Sequence, residues 1–189
     1  MFFERTGPVW DTLRDLETRL REARVDYVVI GGLALNAYNY SRQTIDVDIV
    51  LTEADFQRFV DEFGGTIYRR VPRLPRRFVD PASEVAIDVL IAGQLAGRTS
   101  MNQSVRFPDP KVAVVQGDLR TVSLARLVEL KLVTWRYKDW GDVVELIRHN
   151  DLSDSFADQL DPNVRTAFRE CFDQANDQEY ENPSAPGSG

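Results

Sequence analysis

The chain has 189 residues, 43% of them hydrophobic and 28% charged, which is enough for one sizeable core. Acidic residues outnumber basic ones by 30 to 23, and the net charge of −7 argues against a surface that is basic all over and binds nucleic acid unselectively. The single cysteine, Cys171, excludes an intrachain disulfide, and with the single histidine, His149, it argues against a zinc site. No apolar run reaches the roughly 20 residues that span a bilayer, so we expect a soluble, cytoplasmic protein with no membrane partner.

Two predicted strands in the first third of the chain are separated by a pair of glycines and a short helix. Residues of β-forming type occupy 27–30 and stop at Gly31-Gly32, and a second apolar run follows at 45–51. Helical spacing of apolar residues predicts the flanking helices. The predicted elements are helix 8–23, strand 27–30, the Gly31-Gly32 turn, helix 33–38, strand 45–51 and helix 52–63.

The rest of the chain predicts further strands and then only helices. Five arginines and two prolines within 66–80 suggest a hairpin or irregular edge with a basic face, which is more often solvated than functional. Trp135, Tyr137 and Trp140 recur at helical spacing and are expected to lie in the core rather than to form a base-stacking platform. The remaining predicted elements are strand 85–91, a loop over 94–110 with room for one short strand, strands 112–115 and 119–122, and helices 123–137, 139–149 and 162–175.

Three aspartates in apolar strands carry the main functional signal. Because side chains alternate along a strand, Asp46 and Asp48 lie on the same face of the second strand. Asp88 lies inside the third strand, and the three carboxylates converge if that strand is a neighbour of the second, with Glu84 as the alternative third acid. Converging carboxylates suit Mg²⁺ or Mn²⁺, and a pair of such ions can clamp the attacking and leaving oxygens of a nucleotidyl transfer. We therefore predict that Asp46, Asp48 and Asp88 are catalytic and bind metal.

Gly31 and Gly32 fit the same chemistry. They end one strand and open a helix, so that backbone N–H groups and the positive end of the helix dipole would face whatever lies over the acids. A triphosphate suits that position.

These residues resemble the nucleotidyltransferase superfamily of the DNA polymerase beta-like fold. The pattern is Gly-Gly, thirteen residues and then Asp-x-Asp, with Ser-Arg-x-Thr just before the acids and a third Asp on a later strand. More narrowly, the chain is similar to the AbiEii-type and minimal nucleotidyltransferases of bacterial toxin–antitoxin and phage-defence systems. The resemblance covers about residues 25–148, including a Lys-Leu followed by Lys-Asp-x-x-Asp within LVELKLVTWRYKDWGDVVELI. The commoner Gly-Ser of the wider superfamily is Gly-Gly here.

The resemblance implies roles for further residues. Lys131 would contact nucleotide phosphates, and Asp139 or Asp142 would help to organise the site. Lys131 also projects from the centre of the apolar stripe of its predicted helix, where it needs an anionic partner. Asp139 is equally well explained as the N-cap of the following helix. Arg42 and Thr44 either touch phosphate, brace the first acid, or only end a helix and start a strand.

The predicted fold is α+β, a nucleotidyltransferase-type mixed sheet flanked by helices and followed by a small C-terminal helical part. Its division is a core over 1–122, a helical region over 123–176 and a disordered tail over 177–189. The predicted function is the Mg²⁺- or Mn²⁺-dependent transfer of NMP from an NTP to a hydroxyl of an RNA or tRNA end, a protein or a small molecule such as an aminoglycoside. An antitoxin partner is implied by the resemblance only.

Two alternative functions remain open from the sequence. The fold could have lost catalysis and act as a binding or antitoxin-like protein, although all three acids and Lys131 are present. The Asp-x-Asp-x-Val pattern in IDVDIVL also matches haloacid dehalogenase-type phosphatases, in which the first Asp is a phosphorylated nucleophile. That alternative is weaker, because a glycine turn and a helix precede the pattern and no Asp-Asp pair follows it.

Overall fold

A mixed sheet of seven strands forms the centre of the described structure, a computed structural model that covers residues 5–97 and 104–177. The strands are β1 (Val28–Ile30), β2 (Asp46–Leu51), β3 (Arg69–Val71), β4 (Leu74–Val79), β5 (Ala86–Ile91), β6 (Val114–Gln116) and β7 (Leu119–Thr121). The helices are α1 (Pro8–Glu22), α2 (Gly31–Ala34), α3 (Glu53–Phe63), α4 (Leu124–Leu132), α5 (Tyr137–His149) and α6 (Arg165–Asn176). Short 3₁₀ turns at Leu35–Tyr38, Pro110–Val112, Asp154–Gln159 and Pro162–Val164 complete the elements.

The strand order is β3-β4-β5-β2-β1-β7-β6. The central pair, β2 and β5, is parallel, as is the pair of β1 and β7, whereas β1 with β2, β3 with β4, β4 with β5 and β6 with β7 are antiparallel. The predicted mixed sheet flanked by helices is therefore confirmed. The arginine-rich segment forms the predicted hairpin, β3–β4, at one edge.

Each face of the sheet buries its own apolar core. Alternation sends Val47 and Ile49 of β2 to the face that α1 and α3 cover, where Phe59 is fully buried. Val50 points to the other face, which packs against α4 to α6 and surrounds Phe168. The acids of β2 and β5 lie on this second face, and Asp48 borders a cavity that residues of α4 also line.

Helix boundaries differ from the prediction where α4 meets α5. The predicted helix over 123–137 ends at Leu132, and α5 begins at Tyr137 rather than at 139. The cause is Trp135, whose φ of 56° lies in the left-handed region that stops a helix. As a result Arg136 is the N-cap of α5 and Asp139 lies within the first turn, so the interpretation of Asp139 as the N-cap is wrong.

The same corner contradicts the expectation of a buried aromatic cluster. Tyr137 is 99% exposed and Trp135 is 42% exposed, and the Trp135 ring packs against the half-buried Trp140 at a centroid distance of 5.3 Å. The apolar spacing failed here because the helix that it assumed is interrupted.

The predicted division at residue 122 is not marked by a separate core, since α4 packs on the same apolar cluster as β1 and β2. The division stays a prediction. Within the predicted loop over 94–110, Leu95 and Arg106 form an isolated β-bridge, and residues 98–103 lie outside the described part of the chain. The predicted disordered tail over 177–189 also lies outside it, apart from Asp177. Among the described helices, none is both long and apolar enough to cross a bilayer.

Candidate active site

Three carboxylates converge where β2 and β5 run side by side. The parallel register sets Asp48 directly opposite Asp88, and Asp46 lies two residues earlier on the same face of β2. One carboxylate oxygen from each of the three residues lies within 4.8 Å of the other two. The sequence predicted this convergence from alternation, and strand pairing supplies the neighbour that alternation alone could not identify. Glu84, the alternative third acid, instead forms an ion pair with Arg69 at 2.6 Å.

The glycine turn passes directly over Asp48. Gly31 has a φ of +70°, and a Cβ atom added to it would lie 2.0 Å from Oδ2 of Asp48. A Cβ on Gly32 would lie 2.6 Å from Oγ1 of Thr44, whose hydroxyl donates to Oδ1 of Asp46 at 3.0 Å. Glycine is therefore required at both positions, because the backbone lies too close to Asp48 and Thr44 to leave room for a side chain. The α-helical segment that they open, α2, has only four residues before the 3₁₀ turn continues it.

Burial and mutual repulsion perturb the acids. Burial, followed by the charges of Asp46 and Asp88, raises the pKa of Asp48 to about 7, although Lys131 and Arg136 oppose the rise. Burial also raises the pKa of Asp88, while Arg77 on β4 lowers it through an ion pair at 3.5 Å. Carboxylates held this close need a cation to be ionised together. Hard oxygen ligands in this arrangement fit a divalent cation such as Mg²⁺ or Mn²⁺.

A buried ion-pair network lies beside the acids. The Lys131 ammonium, 5% exposed, donates to Asp139 Oδ1 at 3.0 Å and to Asp142 Oδ2 at 2.6 Å. Arg42 binds the same Asp142 carboxylate with two nitrogens, at 2.6 and 2.9 Å. Lys131 thus has the anionic partner that its place in an apolar stripe requires, and that partner is a pair of aspartates on α5.

Asp139 is held by three groups in addition to its place in the helix. It accepts from Lys131, from the Thr134 hydroxyl at 2.7 Å and from Nε of Arg136 at 2.5 Å. Burial alone would raise the pKa of Asp139, but Lys131, Thr134 and Arg136 together lower it. Asp139 is therefore a fixed anion that orients its cationic neighbours.

A cavity of about 160 Å³ lies between Asp48 and this network. Asp48, Gly31 and Lys131 line its polar part, together with Arg136 and Thr134. Its apolar part is formed by Ile30, Leu90, Phe107, Leu127 and Leu130. A groove that combines apolar walls with a few charged groups is typical of small-molecule sites.

Structure and sequence agree on most of the candidate residues but not on all of their surroundings. Asp46, Asp48 and Asp88 lie together, Gly31 and Lys131 border the same cavity, and their functional roles stay predictions. Arg42 and Thr44 hold Asp142 and Asp46 through hydrogen bonds. Sequence reasoning missed Thr134, Arg136 and Arg77. Arg136 precedes Asp139 by three residues, a spacing at which side chains meet on a helix, and this was the only signal in the sequence. Arg77 and Asp88 lie on neighbouring strands, so no local pattern indicates their contact.

No protein-family model matches the chain, and no curated protein sequence matches it significantly. Its fold is nevertheless that of the nucleotidyltransferases, with a seven-stranded mixed sheet flanked by helices as in the solved structures that it resembles. One is the solution structure of the antibiotic-resistance factor ANT(2'')-Ia, 14% identical, with a TM-score of 0.50 over 90% of this chain and 96% of that one. Another is the crystal structure of ANT(2'')-Ia in complex with adenylyl-2''-tobramycin, 16% identical, with a TM-score of 0.53 over 86% of this chain and 97% of that one.

At these identities the likeness to ANT(2'')-Ia, an aminoglycoside nucleotidyltransferase, establishes the fold. The predicted nucleotidyltransferase-type fold class is thereby confirmed. A closer relation to AbiEii-type proteins is not shown.

Proposed function

We propose that this protein is a metal-dependent nucleotidyltransferase that transfers NMP from an NTP to a hydroxyl acceptor. The observation that carries the proposal is the meeting of three carboxylates within 4.8 Å, beneath a glycine turn and beside a cavity. The fold shared with ANT(2'')-Ia supports nucleotidyl transfer as the general class of reaction.

Asp46, Asp48 and Asp88 would hold Mg²⁺ or Mn²⁺, since their oxygens and spacing suit a hard divalent cation. When bound, such ions neutralise the triphosphate and stabilise the charge that develops in the transition state. Asp88 is the proposed general base, and the raised pKa of its half-buried carboxyl supports that role. The acceptor oxygen forms a bond to the α-phosphorus, its proton passes to Asp88, the bond from the α-phosphorus to the bridging oxygen breaks, and pyrophosphate leaves.

The remaining predicted residues serve this reaction in two ways. Gly31 and Gly32 let the backbone approach the acids, and Lys131 and Asp139 border the cavity in which the NTP is proposed to bind. Arg42 and Thr44 support Asp142 and Asp46. The Thr44 contact is the one that bracing of the first acid requires, whereas Arg42 holds Asp142 instead.

The proposed acceptors are an RNA or tRNA end, a protein, or a small molecule. A small polyhydroxylated acceptor gains support from the neighbour that was solved with adenylyl-2''-tobramycin. A role in a toxin–antitoxin system, an antitoxin partner and a cytoplasmic location stay predictions of the sequence.

The test is incubation with each of the four NTPs labelled at the α-phosphate, with Mg²⁺ or Mn²⁺, and with aminoglycosides, cellular RNA or cellular protein as acceptors. We expect the label to pass to one acceptor class, and the Asp46→Asn and Asp48→Asn variants to lose at least about 100-fold in rate, more than a group that only supports a metal ligand would cost. Asp61→Asn, an exposed substitution on α3 with the same charge change, is the matched control. The absence of labelling in wild type with every NTP and acceptor pool would contradict the proposal.

The alternatives are separated by simpler measurements. A protein without catalysis that still bound Mg²⁺ and NTP would show heat in a titration but no transfer. The phosphatase interpretation rested on the Asp-x-Asp-x-Val pattern alone, whereas the fold is of the nucleotidyltransferase type. A covalent aspartyl phosphate on Asp46, detected by mass spectrometry, would revive it.

A further inference from the structure

Among the described cations that contact carboxylates of the candidate active site, Arg136 is the most exposed. It lies in the corner between α4 and α5, its side chain is 65% exposed, and it lines the cavity together with Asp48 and Gly31. Its Nε donates to Asp139 at 2.5 Å. Within residues 5–97 and 104–177, neither of its two terminal nitrogens has a hydrogen-bond or ion-pair partner. Those nitrogens carry four N–H donors in a planar fork.

The charges of the network leave one positive charge in excess. Three cations, Lys131, Arg42 and Arg136, share two carboxylates, Asp139 and Asp142. Lys131 and Asp142 are almost fully buried and bonded to each other at 2.6 Å, and Arg42 occupies both oxygens of Asp142. The excess charge is therefore most accessible at Arg136, the member with the greatest exposure.

The Arg136 fork is held in place before any ligand arrives. Asp139 is fixed by Lys131 and Thr134, and the Thr134 hydroxyl also accepts from the backbone N–H of Arg136 at 3.3 Å. The left-handed Trp135 fixes the chain direction just before it. An arginine anchored through Nε, with both terminal nitrogens unpaired among the described residues, is suited to bidentate contact with phosphate oxygens at little entropic cost.

We propose that Arg136 binds the triphosphate of the incoming nucleotide, and that Lys131 serves mainly as the buried brace that orients Asp139 and, through it, Arg136. This inference rests on the proposed function, because it assigns a residue to the phosphate part of the same site. It predicts that Arg136 contributes to the binding of phosphate groups and not to the binding of base or ribose.

The experiment titrates wild type, Arg136→Lys and Arg136→Gln with inorganic triphosphate and with each of the four NTPs and nucleosides, all in Mg²⁺. We expect Arg136→Gln to weaken binding of triphosphate and of the preferred NTP by about 10- to 100-fold, the range of a charge-assisted hydrogen bond. Arg136→Lys should recover part of the loss, because it restores the charge but not the fork. Nucleoside binding should be unchanged.

Arg14→Gln is the matched control, since Arg14 on α1 is also exposed and pairs with an aspartate three residues away, but lies on the opposite face of the sheet. A thermal unfolding curve for each variant measures whether the loss of the contact with Asp139 lowers the stability of the fold.

If Arg136→Gln binds triphosphate as tightly as wild type, the inference is wrong while the proposed transferase activity is untouched. Equal weakening toward triphosphate and nucleoside would also overturn it, because that result indicates a structural role. A wild type that binds neither triphosphate nor any NTP would overturn both proposals.

Discussion

At the scale of single residues, the contact between Gly31 and Asp48 links backbone conformation to the candidate chemistry. The turn is left-handed at Gly31, and the space where a side chain would begin is occupied by the Asp48 carboxylate. Gly93 provides a comparison, because its φ of +80° is similar and a Cβ added there would meet nothing within 4 Å. The two glycines share one source of strain and differ only in the close approach.

Gly31→Ala is therefore expected to lose activity and Mg²⁺ affinity by far more than Gly93→Ala. The left-handed conformation should cost each variant roughly 1 kcal/mol of stability, and Gly31→Ala should lose more because its Cβ would overlap Asp48. Only the first displaces Asp48. Isothermal titration with Mg²⁺ and urea unfolding of both variants test this, and equal Mg²⁺ affinity in the two would show that the turn does not position the carboxylate.

The Asp48 carboxyl should make metal-free stability depend on pH. Its pKa of about 7 in the folded protein lies above its ordinary value of 3.8, so between these two pH values the folded state binds a proton that the unfolded state lacks. The contribution of this carboxyl to the free energy of unfolding is complete below pH 3.8. It decreases as pH rises toward 7, by at most about 1.4 kcal/mol per pH unit.

In EDTA, the wild type should therefore lose more stability between pH 5 and pH 8 than Asp48→Asn, measured by urea unfolding at each pH. Protons also compete with the metal, so Mg²⁺ affinity should decrease as pH falls below 7. Parallel pH profiles for wild type and Asp48→Asn would contradict the assignment of the raised pKa.

At the scale of elements, one carboxylate ties three parts of the chain together. Asp142 on α5 binds Lys131 on α4 and Arg42 in the segment that leads into β2. Thr44, two residues after Arg42, supports Asp46. The helix pair and the acid-bearing strand are thus connected through largely buried ion pairs. The loss of one partner leaves a buried charge unpaired.

Asp142→Asn is expected to lower the free energy of unfolding by about 3–5 kcal/mol, because it leaves buried Lys131 and Arg42 short of an anion. Asp154→Asn removes an ion pair with Arg169 of which both side chains are about half exposed, and should cost no more than ~1 kcal/mol. Urea unfolding of both variants measures the difference. A cost for Asp142→Asn as small as that of the exposed control would mean that the network does not hold the two helices and the strand together.

At the scale of the whole molecule, the sheet is shared by two cores. Phe59 of α3 is fully buried in the cluster that includes residues of α1 and of one face, and Phe168 of α6 is fully buried in the cluster that includes residues of α4, α5 and the other face. Because β1, β2 and β5 contribute side chains to both, the loss of one core weakens the support of the other. The acids lie on the second face, because Asp46 and Asp48 alternate with Val47 and Ile49 of the first.

Phe59→Ala and Phe168→Ala should each destabilise the protein by about 3–5 kcal/mol and shift one common unfolding transition. Calorimetry together with near- and far-ultraviolet circular dichroism measures whether the transitions coincide. Two separate transitions, with Phe168→Ala shifting only one, would instead support the predicted division of the chain at residue 122.

The sequence by itself determined the local features of this protein. Alternation within 45–51 placed Asp46 and Asp48 on one face, and the glycine pair and the cap type of Thr52 located the turn and α3. These features depend on neighbours in sequence, so the pattern of residues was sufficient. The α4–α5 corner was not predictable in this way, because the left-handed Trp135 overrides a regular apolar spacing.

Only the tertiary structure decided which groups meet across the chain. Pairing of β2 with β5 selected Asp88 rather than Glu84, and it set Arg77 beside Asp88 from a third strand. Arg42 and Asp142 are separated by 100 residues in sequence. Such contacts follow from strand register and helix packing, which the free energy of the whole fold selects and no local pattern encodes. The same long-range packing exposes Arg136 beside the acids, where charge and geometry now give it a testable role.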